Sequence, residues 1–149
     1  MLSYRHVFHA GNPADVLKHC VLSLIVTALR EKDKQFFCLD THAGAGRYDL
    51  TSAHARKNGE HQAGIGRVYH RKPGHPWAEP YLSVVRSLNQ DGQLRFYPGS
   101  PCLVNHLLRA GDRMAVCEMH PRDIDILRSE FAGDARVKVW AEDGYQTLK

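Results

Sequence analysis

Three short polar segments, each next to an apolar run, carry residue types from which a ligand site could be built. Residues 39–46 (LDTHAGAG) place His42 in a glycine-containing turn, and glycines let a backbone turn tightly and approach a ligand. Glu118 follows residues 114–117 (MAVC), where its carboxylate can accept hydrogen bonds from a ribose diol. Asp143-Gly144 comes shortly after residues 137–140 (VKVW), and this aspartate can accept a hydrogen bond from an adenine amino group.

The apolar runs are predicted to be strands of a parallel sheet. Residues 35–40 (QFFCLD), 114–118 and 137–140 are short and nearly continuously apolar, which is typical of buried strands. Helices are predicted between them, one opened by residues 98–101 (PGSP) and one over residues 123–131. This alternation predicts an α/β fold, in which the carboxyl ends of the strands meet at one edge and bind ligands. The three polar segments are therefore expected to lie close together.

A helix is predicted before the first strand, from Pro13 to about Arg30. Asn12 is its expected N-cap, Pro13 fits the first helical position, and Asp15 lies beside the positive end of the helix dipole. A broad apolar arc predicts that this helix is mostly buried. A narrow polar stripe on the same helix is expected to face something polar; it consists of His19, Ser23, Thr27 and Arg30.

The spacing of the strands predicts an insertion. In a dinucleotide-binding fold the acidic residue that ends the second strand lies about 20 residues beyond the glycine turn, and here Asp40 and Glu118 are much farther apart. Residues 48–97 are the expected insertion, a small, partly helical subdomain between residues 1–47 and 98–149. Because residue 149 comes soon after the third strand, the chain is expected to hold the N-terminal half of the sheet of a longer protein.

The charge balance, the apolar stretches and the cysteine spacing indicate which partners and which kinds of site this protein could have. Lysine and arginine exceed aspartate and glutamate by 20 to 16, a mild excess that is compatible with a polyanionic partner. The longest apolar stretch has only ten residues and includes Ser23 and Thr27, so no membrane span or signal peptide is predicted and a cytoplasmic protein is expected. The cysteines lack Cys-x-x-Cys spacing, and the scattered histidines do not indicate a metal site. Buried reduced thiols are therefore expected.

An adenosine-containing ligand explains the three polar strand ends together. NAD would need a Gly-x-Gly-x-x-Gly loop that leads directly into a helix facing its pyrophosphate, and here GAGRYD is followed by the insertion. S-adenosylmethionine instead places an amino acid moiety at the turn, where His42, His19 and Lys18 could contact its carboxylate and ammonium. The methyl donor is therefore favoured over NAD.

Several segments resemble one bacterial family in register along the whole chain. They are MLSYRHVFHAGNPADVLKH, LDTHAGAGRYDL, YPGSP, EMHP and EDGYQ, and together they closely resemble the 23S ribosomal RNA adenine-N6 methyltransferase J family. The resemblance implies a Rossmann-like class I S-adenosylmethionine-dependent methyltransferase fold with an inserted helical subdomain. It also implies S-adenosylmethionine as cofactor, ribosomal RNA as partner and methylation of N6 of one adenine.

Carried over residue by residue, the resemblance implies a cofactor site and an RNA contact. Tyr4 would contact the substrate RNA, and the residues that would contact the cofactor are His19, His42, Ser100, Glu118, Asp143 and Gly144. Some of these residues also have simpler interpretations. His42 could cap its turn, His19 could be a satisfied interface histidine, Ser100 could be a helix N-cap, and Tyr4 could belong to a tail docked on its own domain.

The chain departs from the family pattern in one respect that concerns catalysis. Adenine-N6 methyltransferases carry an Asp-Pro-Pro-Tyr motif after the fourth strand, and no such motif occurs in these 149 residues. It is expected beyond Lys149, and this chain alone is expected to transfer no methyl group. Two alternatives stay open: an NAD-linked oxidoreductase, and a non-catalytic nucleic-acid-binding protein involved in the use of external DNA.

Overall fold

The computed structural model describes residues 5–71 and 75–148, and within them the strands form two sheets. The five strands are β1 (Phe37–Asp40), β2 (Arg47–Asp49), β3 (Phe96–Pro98), β4 (Arg113–Cys117) and β5 (Val137–Trp140). The larger sheet is parallel, in the order β1-β4-β5, as the alternating pattern predicts. Helices separate these strands along the chain, so the α/β class is confirmed.

The central strand is the most buried of the three strands in the parallel sheet. Leu39 of β1 lies opposite Ala115 of β4, and Val116 of β4 lies opposite Val139 of β5. Four of the five β4 residues are buried, which fits their continuous apolar character. The prediction that β1 is buried is wrong, because β1 is an edge strand among the described residues and Phe37 at its start is 60% exposed.

Seven helices occur in the described ranges, together with 3₁₀ turns. They are α1 (Pro13–Arg30), α2 (Ala53–Asn58), α3 (Ile65–Val68), α4 (Glu79–Ser87), α5 (Ser100–Leu107), α6 (Pro121–Glu130) and α7 (Gly144–Thr147). The first, fifth and sixth lie where the sequence predicts helices, within two residues at the predicted boundaries, and the other helices between β2 and β3 fit the predicted partly helical segment. α5 precedes β4 and α6 connects β4 to β5, and both bury apolar side chains such as Leu103 and Leu127.

A short antiparallel ribbon that the sequence did not predict stands at both ends of the predicted insertion. β2 pairs with β3, with Tyr48 opposite Tyr97, and both tyrosines are buried. The strands have only three residues each, too few for a period-two pattern to be recognised. The ribbon joins the start and end of the segment that contains α2, α3 and α4.

The helix α1 begins as predicted, but the face that carries His19 and Ser23 is buried, and not most of the apolar arc. The side chain of Asn12 accepts a hydrogen bond from the backbone N–H of Asp15, which confirms the N-cap. His19 and Ser23 of the polar stripe are buried, however, while much of the apolar arc is exposed; Leu17, for example, is 65% exposed. Periodicity identifies which residues share a helix face but not which face meets the core. His19 and Ser23 can be buried because His19 Nδ1 contacts the hydroxyl of Tyr97 and Ser23 Oγ donates to the carbonyl of Cys20.

Candidate functional site at the carboxyl edge of the sheet

Two cavities lie where the loops after β1, β4 and β5 meet. The larger has a volume of about 310 Å³ and is lined in part by His19 and Ser100, and the smaller, of about 220 Å³, by Asp143 and Gly144. His42 and Glu118 line both, so the cavities adjoin. The structure therefore brings together all six residues that the sequence predicts for the cofactor. Tyr4, the predicted RNA contact, lies outside the described residues.

The turn after β1 is organised by Asp40, the last residue of that strand. One carboxylate oxygen of Asp40 accepts a hydrogen bond from the backbone N–H of His42 at 3.1 Å, and the other accepts from Ser100 Oγ at 2.6 Å. Ser100 is the first residue of α5, and its N-cap is Gly99, so the interpretation of Ser100 as an N-cap is wrong. The His42 ring is exposed, and its Nδ1 lies 2.9 Å from the hydroxyl oxygen of Thr41. His42 is thus held at the turn with its ring accessible to a ligand.

Gly44 allows the backbone of this turn to reach the carboxylate of Glu118. Its φ is +64°, in the left-handed region, and a Cβ at this position would overlap the hydroxyl of Tyr48. The N–H of Gly44 donates to Glu118 Oε2 at 2.8 Å, and the N–H of His120 donates to Glu118 Oε1 at 2.6 Å. Each oxygen retains lone pairs, so Glu118 can also accept hydrogen bonds from a ligand.

The smaller cavity is shaped by the turn after β5. Asp143 is the N-cap of α7, and its Oδ1 accepts a hydrogen bond from the N–H of Tyr145 at 2.9 Å. Gly144 is buried, and a Cβ there would overlap the carbonyl oxygen of Thr41, so this position requires glycine. The Tyr145 ring lies edge-on to the His42 ring at 4.9 Å between centroids. The turns after β1 and β5 therefore form one continuous wall.

His19 reaches the larger cavity from the buried face of α1. Its side chain is almost fully buried, and its Nδ1 lies 2.9 Å from the hydroxyl oxygen of Tyr97. Burial lowers the pKa of His19 to about 4, although the negative charge of Asp15 opposes this shift. His19 is therefore neutral at pH 7 and can offer a hydrogen bond without a charge.

A buried carboxylate holds the side chains of His6 and Lys18 at the larger cavity, and both of these side chains line it. Asp15 accepts from His6 Nε2 at 2.6 Å, and the Lys18 ammonium lies 2.9 Å from its other oxygen. Burial by itself raises the pKa of Asp15, but the hydrogen bond and charge of His6 and the hydrogen bond of Lys18 lower it below its usual range. Sequence reasoning treated Asp15 only as a helix-start residue, since its role depends on tertiary contacts.

Further side chains that sequence reasoning did not assign to a site also line the larger cavity. They are His6, Tyr48, His120 and Asp123. His120 is the one with a local signal, since it lies two residues after Glu118 and immediately before the proline that begins α6. Tyr48 and Asp123 belong to elements whose approach to the turn depends on the overall fold.

The two cavities together suit an elongated polar ligand. Positively charged or hydrogen-bond-donating groups surround the larger cavity, among them Lys18, and carboxylates line both. Such a surface can hold a carboxylate at one end and hydroxyl or amino groups at the other. Across residues 5–71 and 75–148, no group of three or more potential metal ligands is found. None of the helices in those ranges has the length and hydrophobicity needed to cross a membrane.

The chain is similar to a family of proteins and to several individual relatives. The family model described as "Ribosomal RNA large subunit methyltransferase D, RlmJ" matches residues 33–149. A protein of Escherichia coli (strain K12) named "Ribosomal RNA large subunit methyltransferase J" is 54% identical over 149 residues, which cover 100% of this chain and 53% of that protein. A Haemophilus influenzae protein of the same name is 47% identical over 150 residues, with the same shares of each chain covered.

A solved structure shares the fold as well. A crystal structure of a Legionella pneumophila protein superposes with a TM-score of 0.85 at 37% identity, over 94% of this chain and 51% of that one. This chain spans about half the length of the curated relatives it matches. The family match covers well over half of the chain, and the identities hold along its full length. The chain belongs to the RlmJ family of ribosomal RNA large subunit methyltransferases.

Proposed function

We propose that this chain carries the S-adenosylmethionine-binding half of an enzyme that methylates N6 of one adenine in 23S ribosomal RNA. The observation that carries the proposal is the convergence of six residues on two adjoining cavities; they are His19, His42, Ser100, Glu118, Asp143 and Gly144. The names of the relatives support ribosomal RNA as the substrate. The enzyme is expected to work in the cytoplasm, where ribosomal RNA is found.

The fold is interpreted as the first half of a Rossmann-like class I methyltransferase. The strand order β1-β4-β5, with helices between the strands, corresponds to one half of a doubly wound sheet. In this interpretation residues 48–97 are an inserted subdomain between residues 1–47 and 98–149. Among the described residues β1 is an edge strand, and the other half of the sheet would add its strands beside it.

The polar groups suggest how the cofactor would lie. Glu118, which lines both cavities, would accept hydrogen bonds from the ribose hydroxyls, and Asp143 would accept from the adenine amino group beside the close-packed Gly144. The methionine end would then lie in the larger cavity, near His19, His42 and Ser100. Lys18 is placed to neutralise its carboxylate. When bound, S-adenosylmethionine supplies a methyl group on a positively charged sulfur.

The acceptor chemistry needs groups that these 149 residues do not contain. The adenine amino group is a poor nucleophile because its lone pair is delocalised into the ring. A carboxylate and a carbonyl must accept its protons while an aromatic ring stacks the base, and the Asp-Pro-Pro-Tyr motif supplies these groups in adenine-N6 methyltransferases. We assign that motif to the part of the relatives that this chain does not span. Tyr4 would contact the substrate RNA, where its ring suits stacking on an unpaired base.

A calorimetric titration of S-adenosylhomocysteine into this chain tests the proposal, with NAD as the control ligand. Folding is checked first by circular dichroism. Binding of S-adenosylhomocysteine but not NAD is the expected result. Binding of NAD alone would overturn the proposal in favour of an oxidoreductase. If neither binds, the titration is repeated on a protein of the relatives' length, and failure there overturns the proposed cofactor.

A further inference from the structure

Three buried side chains, Tyr81, Tyr97 and His19, form a hydrogen-bonded series that connects the predicted insertion to the larger cavity. The hydroxyl of Tyr81, on α4, lies 3.2 Å from the hydroxyl of Tyr97, on β3. The hydroxyl of Tyr97 lies 2.9 Å from Nδ1 of His19. Both tyrosines have no exposed surface and His19 is 1% exposed, so bulk water does not compete for these hydrogen bonds.

Counting the protons in this hydrogen-bonded series indicates which nitrogen of the neutral His19 ring carries the proton. The series has two contacts, Tyr81 to Tyr97 and Tyr97 to His19, and each contact can hold one proton. If the ring proton is on Nε2, the two hydroxyl protons fill the two contacts: Tyr81 donates to Tyr97, and Tyr97 donates to His19 Nδ1. If the ring proton is on Nδ1, three protons share two contacts, and one buried donor is left without an acceptor among the described residues. An unpaired buried donor is unfavourable, so the Nε2–H form is preferred.

The surroundings of the three side chains keep His19, Tyr81 and Tyr97 uncharged. Burial lowers the pKa of His19, and the charges of Lys18 and His6 act in the same direction, while the charge of Asp15 opposes them. Burial raises the pKa of both tyrosines well above the usual value, so both keep their hydroxyl protons at pH 7. The proton count therefore applies at neutral pH.

We propose that Tyr97 is a positioning residue that keeps His19 in the Nε2–H form, so that His19 donates a hydrogen bond into the larger cavity. His19 lines this cavity, and Nε2 is on the opposite side of the ring from the nitrogen that contacts Tyr97. This inference rests on the proposed function for its ligand, which is the carboxylate at the methionine end of the cofactor. A fixed neutral donor recognises that carboxylate and does not have to lose a proton or reorient first.

The inference gives the predicted insertion a role in the cofactor site. Tyr81 and Tyr97 both belong to the segment of residues 48–97, yet they act on a histidine of α1. Tyr81 lies one contact farther from His19 and donates to the oxygen of Tyr97. Removing the Tyr81 hydroxyl still leaves one hydroxyl proton for one contact, and the preferred form of His19 is unchanged. Tyr97 is therefore the residue that sets the form, and Tyr81 is its matched control.

Nitrogen-15 NMR of the histidine rings in the free chain tests the inference directly. The His19 signals are identified by their loss in His19→Gln. At pH 7 we expect the Nε2–H form with a hydrogen-bonded Nδ1 in the unmodified chain and in Tyr81→Phe. In Tyr97→Phe we expect a mixture of both forms. The measurement on the unmodified chain decides first and does not require any variant to fold: an Nδ1–H signal would overturn the proposal.

Affinity for S-adenosylhomocysteine is the second readout. Tyr97→Phe should weaken binding by roughly tenfold, and Tyr81→Phe should change it by less than about threefold, because only the first removes the hydrogen bond to His19. Each variant lacks one buried hydroxyl, and equal affinities of the two variants would show that the hydrogen bond to His19 does not matter for binding, which would also overturn the proposal. An Nε2–H signal together with no binding, both in this chain and in a protein of the relatives' length, would instead overturn the cofactor proposed above.

Discussion

Glu118 Oε2 accepts a hydrogen bond from the backbone N–H of Gly44 at 2.8 Å, and the carboxylate at the end of β4 thereby holds the turn after β1. The second oxygen of Glu118 accepts from the N–H of His120 at the start of α6. One carboxylate thus fixes two loops of the candidate site while it lines both cavities. Any change to it should affect the shape of the site together with its contacts to a ligand.

Replacing this carboxylate should weaken cofactor binding. We expect Glu118→Gln to reduce the affinity for S-adenosylhomocysteine at least about tenfold, since its amide nitrogen confronts a backbone N–H that needs an acceptor and hydrogen bonds to charged groups contribute about 1.5–3 kcal/mol. Glu118→Ala should have a larger effect. Calorimetry measures both, with Glu31→Gln as the control, because Glu31 is exposed and lines neither cavity. Unchanged affinity in Glu118→Ala would remove Glu118 from the site.

Gly44 should not tolerate a side chain. Gly44→Ala places a Cβ against the hydroxyl of Tyr48 at a φ of +64°, and we expect a loss of about 1–3 kcal/mol in the free energy of unfolding. The same change in a Tyr48→Phe background should cost less, because the overlapping oxygen is gone, but it should still cost about 1 kcal/mol for the left-handed backbone. Urea denaturation of the four proteins measures both values. An equal cost in the two backgrounds would contradict the overlap.

Local signals predicted much of this fold correctly. The N-cap Asn12 and the polar residues after each parallel strand could be read from the sequence, because each depends on a few neighbouring residues and on the rule that strand ends meet. The pairing of β2 with β3 could not, because two three-residue strands far apart in sequence leave no local pattern. The hydrogen-bonded series from Tyr81 through Tyr97 to His19 could not be predicted either, because its three members lie on three different elements and leave no local pattern.

The stability of the chain should depend on the protonation of His19. The folded protein holds the pKa of His19 at about 4, below its ordinary value of 6.5, because burial favours the neutral ring. Unfolding therefore takes up a proton between these values. The contribution of His19 is fully present above about pH 6.5, is lost as the pH falls from 6.5 to 4, and amounts to about 3 kcal/mol.

Comparison with His19→Gln isolates this contribution. Urea denaturation at several pH values between 7.5 and 4.5 should give a steeper loss of stability for the unmodified chain than for His19→Gln. Asp15, whose pKa is lowered, loses its contribution below its ordinary value of 3.8 and so falls outside this range. Parallel pH profiles for the two proteins would contradict a neutral buried His19.

The exposed side of α1 is an apolar surface of the kind that usually packs against another part of a protein. It consists of Leu17, Val21, Leu24, Ile25 and Leu29, which are between 38% and 65% exposed. Phe37, at the start of β1, is a further exposed apolar ring, and β1 is an edge strand among the described residues. Contiguous exposed apolar side chains mark contact surfaces. Since the curated relatives are about twice as long as this chain, we expect their remaining half to cover this surface.

A charge placed on this surface should therefore act differently in the two lengths of protein. In this chain, Ile25→Lys should change the free energy of unfolding by less than about 0.5 kcal/mol, because position 25 is exposed. In a protein of the relatives' length, the same change should cost about 2–4 kcal/mol, because it buries a charge without a partner and removes apolar contacts. Urea denaturation of both proteins tests this, with Glu31→Lys, at an exposed position just after α1, as the control. A small effect of Ile25→Lys in both lengths would show that the remaining half does not pack against α1.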